Sequence, residues 1–517
     1  MPSLLFLVLA AILGAARPLQ ASPDVVVTTK SSPKEAPISP LLLGGQFEYF
    51  SAPIKQRMTS AGLLDSWRGA HLRLMRYPGG TVCDHYVWDN PAGSYFDIPG
   101  ANANSIVSPA QFIQLCRSVG AEPIFQVNMN CKGGNNDNRI NPTSTDDINM
   151  GAKWAAGWVR QANIVNGWHV KYWELGNEVW IWLHPDEYAR AVAAYSDAMR
   201  AVDPRIKILA CGLGGKVGPF KDSWLNFPND PNWVARNATS NEPASWNKAL
   251  FTIAAGKFDY ICPHLYLGGK TGESPRDVYL DTTKRIWESE ALNGQYDILK
   301  SSKTPVKLAI TEWACNHNRS VPGTGQVKFP LYYYSLANGL NTAHYFGMIV
   351  KGGVADLAVM HSLSDMQTLY FWPTKELAEI PLDHGPALAF ELWGQHLGKK
   401  RLATTVSGAP TLSIEGQTYP GVFVFGSQDE KNVYLMAVNL DSDASHKFSW
   451  RPARTSLAST GEISIVAGPA LNSDNWTSWG KPDALLYIDK RSITLSSGAI
   501  NFELPAHSMA GLTMPKE

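Results

Sequence analysis

Tyr172-Trp173-Glu174-Leu175-Gly176-Asn177-Glu178 and Leu308-Ala309-Ile310-Thr311-Glu312-Trp313 are apolar, strand-like runs that each stop at a glutamate with polar and aromatic neighbours. A carboxylate at a strand end is desolvated on one side and open on the other. Two such groups facing one cleft are what glycoside hydrolysis requires: one proton donor, and one nucleophile or base. The bland alternative is a pair of buried structural carboxylates.

Outward from these runs, short apolar segments alternate with helical patterns. Strands are expected at Leu41–Phe50, His71–Tyr77, Pro123–Asn128, Val170–Leu175, Ile206–Cys211, Phe258–Pro263, Pro305–Thr311 and Thr342–Ile349. Helices are expected at Gln111–Val119, Asp146–Asn166, Pro185–Val202 and Phe329–Asn338, with Trp154 and Trp158 on one helical face. Eight strand signals alternating with helices predict α/β architecture closed as a (β/α)8 TIM barrel over residues 41–390, with functional groups at strand C-termini. Glu178 then follows the fourth strand and Glu312 the seventh. After about residue 390 helical periods fade. Val422–Gly426, Val433–Asn439, Ser492–Leu495 and Ala510–Met514 alternate in two-residue steps, predicting a C-terminal antiparallel β-sandwich over 391–517. Val25–Thr29, within residues 22–40, is strand-like and is expected to join that sandwich.

The 517 residues are 44% hydrophobic, enough for more than one core. Lys+Arg and Asp+Glu stand at 45 each, so no charge excess argues for nucleic acid or an anionic membrane surface. Aromatics make up 11%, with 18 Trp, which suits stacking on sugar faces as well as core packing. Leu4–Ala16 has the length of a signal h-region and is too short for a good membrane span. Residues 1–21 are therefore expected to be a signal peptide, giving a secreted or periplasmic protein with no membrane partner after cleavage. No basic residue precedes the run, and a lipid-embedded anchor is the alternative. The six cysteines, Cys83, Cys116, Cys131, Cys211, Cys262 and Cys315, lack a CxxC pattern. Cys83–Cys131 is one candidate disulfide, and free buried thiols are the other reading. No HExxH or dense ligand run supports a metal, and Gly212–Gly215 lacks the P-loop lysine, so no cofactor is expected. Sequons at Asn237, Asn318 and Asn475 are candidate glycan acceptors.

The stretch Met75-Arg76-Tyr77-Pro78-Gly79-Gly80, continuing through Asp84, Tyr86 and Trp88, resembles glycoside hydrolase family 51, the α-L-arabinofuranosidases. Asn128, Val170-Lys171-Tyr172-Trp173 leading into Gly176-Asn177-Glu178, Trp180, and His264-Leu265-Tyr266 extend the resemblance through most of the barrel. Departures fall at Glu174-Leu175, Ile181–Pro185 and Ala314–His317. The resemblance implies a retaining glycosidase with Glu178 as acid/base and Glu312 as nucleophile, their carboxyls about 5–5.5 Å apart. It implies that Asn177 donates to the sugar 2-hydroxyl and that Tyr266 donates to Glu312. Glu48 and Asn128 would bind sugar. His264 would position the acid or the sugar, or be a satisfied core histidine. Arg76 would orient Glu312 or Glu48, or form a structural ion pair; Glu174, an even offset from Glu178 on its strand, is read as facing the barrel interior, where it supports a site residue or is structural. Trp88, Trp180 and Trp313 are candidate stacking platforms, with a core role expected for at least one of them. The partner would be an oligo- or polysaccharide of plant-wall type, and oligomeric state is left open. An endo-β-1,4-glucanase or β-xylosidase of the same clan, or a non-catalytic sugar-binding protein, are the competing readings.

Overall fold

The computed structural model describes residues 24–32, 36–47, 61–91, 106–129, 144–181, 183–214, 243–268, 274–289, 299, 302–315, 332, 334–361, 363, 384–453, 456–475 and 485–517. The expected signal segment, Glu48, Cys131, Asn237 and Asn318 lie outside the described residues.

Parallel strands build a closed barrel: β2 (Gly44–Gln46), β3 (Leu74–Tyr77), β4 (Glu122–Val127), β5 (Tyr172–Leu175), β6 (Lys207–Cys211), β7 (Tyr260–Cys262) with its continuation β8 (His264–Leu267), β9 (Lys307–Cys315) and β10 (Ala355–Met360). Pro263 has no N–H to give to a ladder, and the sixth barrel strand is split there into β7 and β8. Val359 of β10 pairs with Gly44 of β2 and closes the ring. Gly44 is required at the seam, because a Cβ there would lie 2.4 Å from the Ala358 carbonyl oxygen.

Strand alternation fills the barrel in layers. Leu74, Ile124, Tyr172, Leu209, Tyr260, Ala309, Leu357 and Val359 form an apolar plug. Two residues further along three of these strands, the same alternation carries Arg76, Gln126 and Glu174, all fully buried. The interior therefore turns polar towards the strand C-termini.

The intervening helices are α1 (Ala61–Gly69), α2 (Pro109–Val119), α3 (Thr145–Val159), α4 (Pro185–Val202), α5 (Pro243–Ile253), α6 (Pro275–Trp287), α7 (Leu336–Gly352) and α8 (Gly385–Gln395). α2 begins with a capping box between Ser108 and Gln111 and ends at Gly120, whose φ of 77° suits glycine.

One expected strand is corrected. Thr342–Ile349 lies inside α7, and the eighth barrel strand is Ala355–Met360. The expected helix Phe329–Asn338 overlaps α7 only at its end. α7 is buried from Leu336 through Val350, its polar residues Asn338, Asn341, Thr342 and His344 included, so no face is left to solvent and the sequence shows no amphipathic stripe. Its ends are nonetheless written in the chain: Ser335 caps the Asn338 N–H, and Gly353 at φ 69° terminates it.

Two sheets form the second unit. A six-stranded antiparallel sheet runs β11 (Lys400–Arg401), β15 (Val422–Gln428), β16 (Asn432–Asn439), β21 (Ser508–Pro515), β18 (Thr460–Val466), β19 (Ile488–Thr494). A four-stranded sheet runs β12 (Ala403–Ser407), β1 (Val25–Lys30), β17 (His446–Arg451), β20 (Ile500–Leu504), with β1 antiparallel to β12 and parallel to β17. Val27, Leu435, Phe448, Trp450 and Leu512 pack between the sheets. Trp393 of α8 contacts Phe423 and Phe425, which joins the barrel to the six-stranded sheet.

The sandwich also grips α6, the helix after the His264–Tyr266 strand. Arg276 pairs with Asp443, the Tyr279 hydroxyl donates to the Leu440 carbonyl at 2.9 Å, and Lys284 pairs with Glu415 at 2.6 Å. Tyr419 of the hairpin β13 (Thr411–Ile414)–β14 (Gln417–Pro420) donates to Glu288. The Asn475 amide is buried and exchanges two hydrogen bonds with Leu486, so it is occupied structurally. The described cysteines are all buried free thiols. No described helix is long and apolar enough to cross a membrane.

Tyr279→Phe should lower stability by about 1–2 kcal/mol, because the buried Leu440 carbonyl loses its donor. Glu415→Ala breaks a partly exposed pair and should cost under about 1 kcal/mol. Urea titrations of the two variants beside the parent protein check the ranking.

Candidate active site

Arg76, at the end of β3, organises the mouth of the barrel. Its five N–H donors are all used. Nε donates to Glu174 Oε2 at 2.6 Å and Nη2 to Glu174 Oε1 at 3.1 Å. Nη2 also donates to Asn177 Oδ1 at 2.9 Å, and Nη1 to Gln46 Oε1 and Glu312 Oε1, each at 2.6 Å. A fully buried guanidinium with a complete set of acceptors escapes the penalty of an unpaired buried charge.

Glu312 reaches this site because β9 is irregular. Ile310 is opposite Ala358, but Trp313 is opposite Met360: three steps on β9 against two on β10. The extra residue resets the in–out alternation. Glu312 points inward, and Trp313 points outward onto Phe346, with ring planes 19° apart. Both Glu312 oxygens have donors: Oε1 takes Arg76, and Oε2 takes the Tyr266 hydroxyl. Burial opposes its ionisation. The charges of His264, Arg76 and His361 and the Tyr266 hydrogen bond outweigh burial and hold the carboxyl well below the usual carboxylate range.

Glu178 leaves β5 through a tight turn. Gly176 has φ 80°, and a Cβ there would lie 2.4 Å from Val179 Cγ1. Glu178 itself has φ 46°, a conformation that non-glycine residues adopt only under constraint. Its Oε1 lies 2.9 Å from His264 Nδ1, and the same nitrogen is 3.4 Å from Glu312 Oε2. Facing oxygens of Glu178 and Glu312 lie within 4.8 Å. The Glu178 side chain retains 25% exposure against 5% for Glu312. Burial works against a charged His264 ring, but the Glu312 charge and the Glu178 hydrogen bond outweigh it and raise its pKa above the ordinary 6.5.

Glu178, His264 and Glu312 are also the one group among the described residues whose donor atoms could surround a metal ion. Both Glu312 oxygens already accept hydrogen bonds and His264 Nδ1 faces two carboxylates, an arrangement that suits a proton more than a metal.

The other candidates separate into those that converge and those that do not. Asn177 is oriented by Arg76, with Gln126 Nε2 at 3.5 Å from the same oxygen, which leaves its Nδ2 as the donating atom. Tyr266 keeps a part-exposed ring with its hydroxyl turned onto Glu312. Trp180 is buried edge-on to His264 at 5.5 Å, where it packs the histidine. Asn128 is buried and donates to the Tyr86 carbonyl at 2.9 Å. Trp88 lies face to face with Trp158, planes 4° apart, and contacts Trp154, so helix α3 occupies it. Trp313 is fully buried. Trp313 is therefore core, while Trp88 is half-buried with one face covered by Trp158. Of the alternatives for Arg76, the structure selects Glu312, with Glu174 as a second partner. Gln46, Gln126 and His361 were not anticipated. Gln46 and Gln126 carry a readable signal, since polar residues at inward positions of buried strands have to meet something polar. His361, just past β10, was hidden by the misplaced last strand; its ring lies 6.0 Å from Tyr266.

Residues 67–243 match the α-L-arabinofuranosidase 1 domain. An intracellular exo-α-(1→5)-L-arabinofuranosidase of Acetivibrio thermocellus is 27% identical over 262 residues, 46% of either chain. The chain resembles the family 51 arabinofuranosidases. Another relative, α-L-arabinofuranosidase C of Emericella nidulans, is 28% identical over 31% of this chain and 33% of its own. The chain thus spans about half or less of the curated relatives it matches. The fold extends further: the α-L-arabinofuranosidase of Thermotoga maritima, solved with arabinose, superposes with a TM-score of 0.68 over 96% of this chain and 100% of its own, at 21% identity.

The cluster's contribution to stability has a pH window. Glu312, with a depressed pKa, contributes above its ordinary 4.5 and loses that contribution as pH falls through the lower folded value. His264, with a raised pKa, contributes fully below 6.5 and loses it as pH rises through the higher folded value. The stability gap between the parent protein and His264→Gln should therefore be widest near about pH 5.5 and shrink by about pH 9. Urea denaturation at both values measures it, and a gap that ignores pH would refute the ionic role.

Proposed function

We propose that the protein is a retaining glycoside hydrolase that removes α-L-arabinofuranosyl groups from plant cell-wall polysaccharide. The observation that carries the chemistry is the carboxylate pair. Facing oxygens within 4.8 Å favour the retaining arrangement, with carboxyls about 5–5.5 Å apart, over the roughly 6.5–9.5 Å separation of an inverting pair. The two environments divide the roles. Glu312 is buried, doubly hydrogen-bonded and ionised, as a nucleophile requires. Glu178 faces solvent and can exchange protons with water.

In the first step a Glu312 oxygen attacks the anomeric carbon while the glycosidic C–O bond breaks, and the Glu178 proton passes to the leaving oxygen. In the second step Glu178 takes a proton from water, which attacks the same carbon. The glycosyl–Glu312 bond breaks, and the sugar leaves with its configuration retained. Asn177 Nδ2 is oriented to donate to the 2-hydroxyl as charge develops. The arabinofuranosyl preference is supported by the sequence match over 67–243 and by the names of the relatives. Export is supported by the apolar run Leu4–Ala16, in contrast to the relatives whose names place them inside the cell. N-terminal sequencing of the mature protein from culture supernatant or periplasm tests export; a chain found only in cytosol with Met1 retained contradicts it.

Aryl glycosides test the chemistry. The parent protein should release phenol from α-L-arabinofuranoside in preference to β-D-xyloside or β-D-glucoside, and NMR should show the retained anomer first. Glu312→Ala should abolish turnover. Glu178→Ala should lose about 10²–10⁴-fold on poor leaving groups and much less on dinitrophenolate, which needs no proton. Full activity in Glu312→Ala would end this reading.

A further inference from the structure

The hydrolysis mechanism uses Glu178, Glu312 and Asn177, with His264, Tyr266 and Arg76 contacting the two carboxylates, and leaves the fully buried Glu174 without a task. Glu174 lies on β5, two residues before the turn to Glu178, with no exposed surface. It touches no position where substrate could sit. Both its oxygens are committed to Arg76, through Nε at 2.6 Å and Nη2 at 3.1 Å. Resting on the assignment of Glu312 as nucleophile, we propose that Glu174 is a positioning residue that aims the nucleophile through Arg76.

A guanidinium is planar, so two bonds from Glu174 to its Nε–Nη2 edge fix both the plane and its rotation. The opposite nitrogen, Nη1, is then left with two hydrogens in fixed directions. One meets Gln46 and the other Glu312, each at 2.6 Å. The remaining Nη2 hydrogen meets Asn177, so the same plane also sets the amide expected to face the sugar. Four strands are registered by one side chain: β3 carries the arginine, β2 carries Gln46, β5 carries Glu174 and β9 carries Glu312.

Charge adds a second effect. Arg76 facing Glu312 alone would concentrate its positive charge on the nucleophile and stabilise the resting carboxylate against attack. With Glu174 ionised on the other edge, part of that field is cancelled at the Arg76 end. The site keeps a rigid hydrogen bond to Glu312 while softening the electrostatic hold. A point-charge lysine at position 76 could not be held in the same orientation.

The experiment compares Glu174→Gln, Arg76→Lys and the double variant on a dinitrophenyl α-L-arabinofuranoside, with thermal midpoints and pre-steady-state kinetics. The burst amplitude counts competent sites, so the glycosylation rate constant is obtained per folded site. Glu174→Gln should lower that constant at least tenfold while KM changes less than about threefold, and its effect should largely vanish in the Arg76→Lys background. Two outcomes overturn the proposal. In one, amplitude and midpoint fall while the per-site constant is unchanged, as a purely structural pair would give. In the other, the effects of Glu174→Gln and Arg76→Lys are additive. Failure of the parent assignment is separately visible: trapping the parent protein with a slow 2-fluoro glycosyl substrate would then leave the Glu312 peptide unlabelled by mass spectrometry.

Discussion

A buried arginine is tolerated only where its donors are met, and the mouth of this barrel is arranged around that demand. Arg76 gives two hydrogens to Glu174, two to Gln46 and Glu312, and one to Asn177. The acceptors come from β2, from β5 and the turn after it, and from β9. Each of those strands must therefore hold its axial position, since a shift of one residue would turn its polar side chain out of the barrel. Breaking such a cluster at one member leaves an uncompensated charge with no access to water. The polar layer is thus a constraint on strand register as well as a chemical site.

Two local departures from regular structure complete the geometry. The turn at Gly176 and Glu178 lifts one carboxylate out of the strand, with positive φ at both residues. The irregularity between Ile310 and Trp313 swings the other inward. A regular β9 would have sent Glu312 towards α7, because Thr311 already occupies the inward phase set by Ala309. Strained or irregular backbone persists where surrounding contacts hold it, and here the contacts are Arg76, Tyr266 and His264.

Much of this geometry was legible in the chain because the relevant signals are local. A strand ending in Gly-Asn-Glu and proline at the first turn of α4 each read from a few neighbours. The barrel count survived a misplaced element because Thr342–Ile349 and Ala355–Met360 occupy the same slot in the alternation. The miss has a physical origin: a helix buried on every face has no polar stripe, and its β-branched and aromatic residues resemble a strand. Telling core from open rings among Trp88, Trp180 and Trp313 fails locally for a related reason. An aromatic beside a motif stacks on sugar or on its own helix, and only the packing of Trp158 and Phe346 distinguishes the two. The role of Glu174 depends on a contact 98 positions away and has no local signature.

The two glutamates at the strand ends are the same side chain with different fates, and the fold imposes the difference through its two halves. Glu312 sits on a strand locked between β8 and β10, with donors on both oxygens. Glu178 sits beyond the end of its strand, with one oxygen on His264 and part of its surface in water. His264 faces both, and Tyr266, two residues on along β8, holds Glu312. β8 is short and edged by the split at Pro263, and it is held by its pairing with β9 from His264–Glu312 to Leu267–Cys315, with α6 the next helix along the chain. The sandwich binds that helix through Arg276, Tyr279, Lys284 and Glu288. The second unit thus braces the helix that follows β8, while the ladder between β8 and β9 sets the histidine and tyrosine against the two carboxylates and gives those carboxylates their different surroundings.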